Sequence, residues 1–171
     1  MRFTAPEEYG LRCMLQMVRH DNGSSLTINE LAEMEGLTPA YVAKLMRILR
    51  KARLVESTRG QKGGYSLTRP AAQVSVGEVL NALGGRLHSD GYCRKFTGIN
   101  HSCVHTGDCS VKSLWEGLDR LITKVLEECK LTDLVREKQF MNDWVEKFID
   151  RPVSELGIFD GPSRERAEAV R

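Results

Sequence analysis

The sequence lacks any apolar run that approaches the about 18 residues needed to span a membrane. Its opening residues, MRFTAPEEYG, also lack the apolar segment of a secretory signal peptide. These absences argue against a membrane partner and predict a cytoplasmic protein whose cysteines stay reduced. The remaining composition, 41% hydrophobic and 28% charged, is ordinary for a soluble globular protein.

Recognisable enzyme motifs are missing as well. The chain has no phosphate-binding P-loop, no dinucleotide-binding glycine fingerprint and no paired carboxylates in a recognisable catalytic motif. It also lacks a convincing Ser/His/Asp arrangement, and a nucleophilic Cys103 with His105 is the one enzymatic alternative left open. We therefore expect a protein that is not an enzyme.

A strong net charge is absent, since the total is only +2, but the positive charge is concentrated in one segment. Residues 44–69 contain eight basic residues and one acidic residue, which gives this segment a charge of +7. Such a concentration suits the phosphates of a nucleic acid. A solvated basic helix face is an equally good explanation, so the charge alone does not decide between them.

Helix-start signals occur at residues 4–7, 27–30 and 38–39. The first two have the Thr-x-x-Glu pattern of a capping box, and the third is a threonine followed by proline. Gly36 provides a tight turn between the second and third helices, which together predict a helix-turn-helix. The N-terminal part of the third helix would enter the major groove of double-stranded DNA. The candidate DNA contacts on this helix are Thr38, Tyr41, Lys44 and Arg47.

Two short strands are predicted at 54–57 and 65–68, and the connection between them contains three glycines and two cations. An ordinary glycine-rich hairpin is possible, but the position directly after a helix-turn-helix favours the wing of a winged helix. Glycines would let the backbone approach the duplex, and an arginine would enter the minor groove. The candidate wing contacts are Arg59, Gly60, Lys62 and Gly63.

Three cysteines, Cys93, Cys103 and Cys109, occur with the spacing C-x9-C-x5-C in a segment without helical or strand periodicity. Three thiols on one loop of a cytoplasmic chain indicate a metal or iron–sulfur site rather than disulfides. With one further oxygen or nitrogen ligand they could hold a 2Fe–2S or a 4Fe–4S cluster. Zinc, with His101 or His105 as the fourth ligand, is equally compatible with the loop. Direct oxidation of the thiols is a third reading.

An apolar stripe at helical spacing runs from Val111 to Leu126 and predicts a long amphipathic helix from about 110 to 129. The simplest partner for this stripe is its copy in a second chain, which predicts a homodimer. The alternative is that the helix folds back on its own domain. Thr132 is expected to begin a further helix.

The expected fold is therefore mainly α with a small β-hairpin wing: a winged helix-turn-helix domain plus a long dimerisation helix. Four segments are predicted along the chain. They are a DNA-binding domain at 1–85, a cysteine-rich loop at 86–109, the dimerisation helix and the following helix at 110–148, and a flexible tail at 149–171.

The segment LTPAYVAKLMRILRKARLVESTRGQKGGYSLTRP at 37–70 resembles the winged-helix iron–sulfur transcriptional regulators that include IscR, NsrR and RirA. The opening MRFT with Tyr9, the helix at 76–79 and the cysteine loop followed by Leu114-Trp115 extend the similarity over residues 1–138. The resemblance implies a homodimer whose DNA affinity is switched by an iron–sulfur cluster. Nitric oxide, redox state and iron status are the candidate signals.

By position, the resemblance implies that Cys93, Cys103 and Cys109 are the cluster thiolates, with Glu8 of the partner subunit as the fourth ligand. The first gap between the cysteines, nine residues, is longer than is common in that family. Lys112 occupies the position of the histidine ligand of IscR-like members, so the cluster type stays open. The competing fourth ligands are His101, His105, Asp108 and Cys13.

Overall fold

The computed structural model describes residues 3–20, 25–58, 60, 63–84, 99, 101, 109–152 and 155. Within these ranges the fold is mainly α with one antiparallel two-stranded hairpin, as the sequence predicted. The helices are α1 (Ala5–Arg19), α2 (Ile28–Glu35), α3 (Pro39–Lys51), α4 (Val76–Leu83), α5 (Ser110–Glu128), α6 (Leu131–Leu134) and α7 (Lys138–Ile149). The strands are β1 (Val55–Thr58) and β2 (Gly64–Leu67), and a short 3-10 turn covers Ala71–Gln73.

The helix-turn-helix begins and ends at the predicted caps. The Thr27 amide donates to Glu30 Oε2 at 2.7 Å and the Glu30 amide donates to Thr27 Oγ1 at 3.2 Å, which completes the capping box of α2. Gly36 ends α2 in the left-handed conformation, with φ of 64°. Thr38 then starts α3 by accepting the amide of Tyr41 on Oγ1 at 3.3 Å.

One hydrophobic core joins the first four helices to the hairpin. Its fully buried members come from the apolar faces of α1, α2, α3 and α4, together with residues that flank them. The helices α1 and α4 approach closely at Gly10, where a Cβ atom would lie 2.5 Å from Cδ1 of Leu83. The largest fully buried side chains include Met14, Leu26, Leu31, Leu45, Met46 and Leu49.

The hairpin gains a third partner that the sequence did not predict. Tyr65 of β2 exchanges two backbone hydrogen bonds with Leu26, at 2.9 and 2.7 Å, so the residue before α2 extends the sheet by one bridge. Gly64 makes this approach possible, because a Cβ atom there would lie 2.7 Å from the Leu26 carbonyl oxygen. The base of the wing is therefore fixed to the start of the helix-turn-helix.

The C-terminal end of α5 is attached to α4. The Val76 amide donates to the Cys129 carbonyl at 2.9 Å, and the Leu131 amide donates to the Val74 carbonyl at 3.0 Å. Gly77 faces the α5 backbone, where a Cβ atom would lie 3.3 Å from the Leu126 carbonyl oxygen. These contacts make the end of α5 a close junction with the DNA-binding domain.

The predicted start of the helix after α5 at Thr132 is wrong. Lys130 is the cap instead, because its amide donates to Oδ2 of Asp133 at 2.8 Å, and Thr132 lies inside the short α6. A break then separates α6 from α7. The predicted single helix is therefore two helices, since the capping carboxylate sits one residue after the threonine.

Most of the predicted cysteine-rich loop, including Cys93 and Cys103, lies outside the described residues, and so does most of the predicted tail. Ile99, His101 and Cys109 are the loop residues that are described. Across the described part of the chain, every helix is too short or too polar to cross a membrane.

Candidate nucleic-acid interface and metal site

One face of α3 is buried and the opposite face is open. Its buried side chains are Val42, Leu45, Met46 and Leu49, which anchor the helix to the core. Thr38, Lys44 and Arg47 are exposed, and Tyr41 is half-buried. The four residues predicted to contact DNA on this helix therefore lie on the side that a major groove could reach.

The basic residues of the 44–69 segment fall into two groups. Arg50 donates from Nη1 to Ser57 Oγ at 3.1 Å, and Arg69 pairs with Glu78, so both brace the domain. Lys44 and Arg47 are exposed and form no ion pair with other described residues. These two cations are therefore available for phosphates or base edges.

Glu78 connects the end of the hairpin to the first turn of α4. Burial opposes ionisation of its carboxyl group, but the Ser75 amide and hydroxyl and the Arg69 guanidinium donate to it. Together these donors hold the pKa of Glu78 below its ordinary value. The ionised carboxylate thus fixes Arg69, which follows the wing, to the helix that meets α5.

The described part of the wing tip has the backbone that glycine permits. Gly60 is exposed with φ of 113°, and the Gly63 amide donates to the Gly60 carbonyl at 2.8 Å. No atom lies within 4 Å of a Cβ built on Gly60, so conformation rather than crowding requires glycine there. The predicted contacts Arg59 and Lys62 lie outside the described residues.

Two of the four predicted cluster ligands are described. Cys109 is half-buried and is the N-cap residue of α5, where its carbonyl accepts the Ser113 amide at 3.0 Å. Glu8 is exposed on α1. Cys93 and Cys103 are outside the described residues, and the described side chains alone form no cluster of three or more potential metal ligands.

The other two thiols are in apolar surroundings. Burial raises the pKa of Cys13 to about 11, with a further increase from the neighbouring Glu35 carboxylate. Burial also raises the pKa of Cys129 to about 11. Both thiols are neutral at pH 7, and metals bind the thiolate. Cys13 is therefore a weaker alternative ligand than Glu8.

A polar group that the sequence did not single out lies beneath the helix-turn-helix. The Glu35 side chain is only 3% exposed, and its carboxylate meets Arg12 Nε at 2.6 Å and Gln16 Nε2 at 2.6 Å. Arg12 and Gln16 are four residues apart on α1, so they share a face. That spacing was visible in the sequence, but their partner on another helix was not.

A helix-turn-helix with an exposed basic second helix, followed by a hairpin stitched to its base, defines a winged-helix DNA-binding protein. The chain belongs to the Rrf2 family, whose description is "Iron-dependent Transcriptional regulator" and which matches residues 3–137. It is a DNA-binding transcriptional regulator rather than an enzyme, because its relatives are regulators of transcription.

Three comparisons illustrate the relationship. The HTH-type transcriptional regulator IscR of Pectobacterium atrosepticum is 30% identical over 142 residues, covering 83% of this chain and 84% of the relative. The solved structure of T. potens IscR has a TM-score of 0.62 at 26% identity, covering 91% of this chain and 96% of the other. The oxidised form of Staphylococcus aureus CymR has a TM-score of 0.62 at 26% identity, covering 80% and 98%.

Proposed function

We propose that this protein is a homodimeric regulator whose affinity for double-stranded DNA is switched by an iron–sulfur cluster. Nitric oxide, redox state or iron status would be the signal, and the protein would act in the cytoplasm. The observation that carries the proposal is the position of Cys109. It caps the helix whose opposite end is joined to the DNA-binding domain.

The proposed cluster ligands are Cys93, Cys103, Cys109 and Glu8 of the partner subunit. The donor set fits, because Cys109 and Glu8 are both open to solvent to some degree while the two remaining thiols are buried and neutral. When bound, the cluster would supply redox- and nitric-oxide-reactive iron, held less firmly at the carboxylate than at the thiolates. The family description as iron-dependent agrees with this choice.

The proposed dimer interface is the N-terminal half of α5. Val111, Leu114 and Leu118 are 55%, 57% and 39% exposed, although they continue one apolar stripe. The C-terminal half of the same stripe is covered within the chain, where Leu121 and Val125 pack against Phe148 of α7. A second copy of α5 would cover the exposed half and remove its apolar surface from water.

The proposed DNA contacts divide between the two grooves. Lys44 and Arg47, with Thr38 and Tyr41, would meet bases and phosphates in the major groove. Arg59 and Lys62, with Gly60 and Gly63, would place the wing near the minor groove. A two-fold dimer would then engage two half-sites about 34 Å apart, or a multiple of that distance.

The first test is purification without oxygen, followed by visible absorption and iron and sulfide analysis. We expect a coloured protein with iron and sulfide near two or four per chain. Cys103→Ala should lose the colour and the cluster-dependent change in DNA affinity, whereas Cys13→Ala, the matched control, should keep both. An unchanged DNA response in Cys103→Ala would overturn the sensing assignment.

The fourth ligand requires its own variant. Glu8→Ala should keep iron but release it faster to a chelator, because one iron would lose a protein ligand. Glu33→Ala removes an exposed carboxylate from α2 and serves as the matched control. Equal release rates in the two variants would exclude Glu8 as a ligand.

The second candidate is a winged-helix regulator that binds zinc or oxidises its thiols directly. The likeness to a CymR structure in its oxidised form favours this candidate. His101, exposed within the cysteine segment, would be available to zinc. A colourless anaerobic preparation with one zinc per chain, or with no metal, would support it and leave the DNA-binding assignment in place.

A further inference from the structure

Tyr41 sits where the recognition helix begins, and its ring is held from the side. It is the third residue of α3, and its amide is fixed by the Thr38 carbonyl at 3.0 Å. Its ring meets the Tyr9 ring of α1 edge-on, with centroids 6.1 Å apart and planes at 84°. This T-shaped arrangement is directional, so the Tyr9 ring restricts the positions open to the Tyr41 ring.

Tyr9 is itself held by Arg12, one turn further along α1. The Arg12 guanidinium carbon lies 5.5 Å from the centre of the Tyr9 ring, within the range of a cation–π contact. The edge of one tyrosine and the face of the other are thus both occupied. Neither contact follows from sequence spacing alone, because Tyr41 is on a different helix.

Glu35 completes the series of contacts. Its buried carboxylate forms an ion pair with Arg12 and accepts a hydrogen bond from Gln16, so Arg12 is anchored from beneath. A buried carboxylate needs such partners, and loss of the Arg12 charge would leave it poorly compensated. Arg12 is therefore fixed at its inner end even though its side chain is 45% exposed.

We propose that Glu35, Arg12 and Tyr9 are positioning residues that orient the Tyr41 side chain for reading DNA. They link the end of α2 through α1 to the first turn of α3. This series of contacts, the Tyr41 relay, would set how well the regulator distinguishes one DNA sequence from another. The inference rests on the proposed DNA-binding function and requires neither the cluster nor the dimer interface.

The relay predicts an effect on discrimination rather than on general affinity. Lys44 and Arg47 lie outside the relay, and the phosphate contacts proposed for them would remain when Tyr9 changes. Base-edge contacts depend on a side chain held in one orientation, and phosphate contacts depend mainly on charge. A variant of Tyr9 should therefore lose preference for a selected duplex while its salt dependence stays the same.

The test uses a duplex selected by the wild-type protein from a randomised pool and a scrambled duplex of equal length and composition. Tyr9→Leu and Arg12→Met should lower the ratio of the two affinities by about two- to tenfold. Tyr9→Phe, which keeps the ring, should retain the wild-type ratio. Arg19→Met makes the same change at an exposed position on α1 outside the relay, and should also retain it.

The outcomes separate two failures. If the wild-type protein prefers no duplex, the proposed DNA-binding function fails and the relay fails with it. If the wild-type protein discriminates and Tyr9→Leu and Arg12→Met do so within twofold, the relay alone is overturned. Equal losses on both duplexes, with a changed salt slope, would also overturn it, because they would mark general damage to the domain.

Discussion

The amide of Val76, the first residue of α4, donates to the carbonyl of Cys129, the residue that ends α5, at 2.9 Å. The bond joins the DNA-binding domain to the proposed dimerisation helix through main-chain atoms. Gly77, the next residue, lets the two backbones approach. Any signal received along α5 would reach the DNA-binding domain at this point.

Gly77→Val should weaken this junction. A Cβ atom would already lie 3.3 Å from the backbone of Leu126, and the branched side chain adds two further carbons. Overpacking of this kind lowers the free energy of unfolding by about 1–3 kcal/mol. Asn81→Val places the same side chain on the exposed face of α4 and is the control. Urea unfolding measures both variants, and equal losses would show that the contact does not matter.

Leu114→Asp should convert the dimer to a monomer, since it places a charge in the proposed interface at a residue that is 57% exposed in the single chain. Ile149→Asp changes another exposed apolar residue, on α7, and should leave the dimer intact. Sedimentation velocity gives the oligomeric state. A monomeric wild-type protein, or a dimeric Leu114→Asp variant, would contradict the proposed interface.

Arg47 and Arg50 should behave differently although they are one turn apart on α3. Arg47 is exposed without an ion pair among the described residues, whereas Arg50 donates to Ser57. Arg47→Ala should lower the slope of log affinity against log salt by about 0.9, the value for one phosphate contact. Arg50→Ala should chiefly reduce stability. Fluorescence anisotropy across a salt series, with thermal unfolding alongside, separates the two effects.

The three described cysteines should differ in reactivity. In metal-free folded protein at pH 8, iodoacetamide should modify Cys109 well before Cys13 or Cys129, because burial and a pKa of about 11 keep the latter two protonated. Mass spectrometry of peptides gives the rate at each site, and denaturant should make the rates similar. Rapid modification of Cys13 in the folded state would contradict the core that is described.

The contribution of Glu78 to stability should depend on pH. Because its pKa is lower in the folded state than in the unfolded chain, its stabilising effect is present above the unfolded value and is lost as the pH falls through the folded value. Glu78→Gln should therefore be less stable than wild type at pH 7, and the difference should shrink toward pH 3. Glu33→Gln, another exposed carboxylate, should show little change. A constant difference would contradict the assignment.

The sequence predicted features that depend on neighbouring residues. The caps at Thr27 and Thr38 and the glycine ending α2 are local patterns, and the structure confirms them. The Leu26–Tyr65 bridge was not predictable, because a bridge of one residue has no periodicity. Glu35 was missed for a different reason. A glutamate at a helix end ordinarily faces water, and its partner Arg12 is 23 residues away in the chain.

The candidate site divides in the same way. The exposed positions on α3 followed from helical periodicity, and the structure confirms their exposure. The cluster ligands stay a prediction, because Cys93 and Cys103 lie outside the described residues. Contacts between helices, such as that between Tyr9 and Tyr41, depend on how the helices cross, which no local pattern specifies.

The bridge between Leu26 and Tyr65 has a consequence for the DNA that this protein can accept. It attaches the wing to the residue that precedes the helix-turn-helix, so the parts aimed at the two grooves behave as one rigid caliper. The separation between major-groove and minor-groove contacts within a half-site is then set by the protein. One base pair inserted between those contacts should abolish recognition, because it shifts one groove relative to the other by about 3.4 Å and a tenth of a turn.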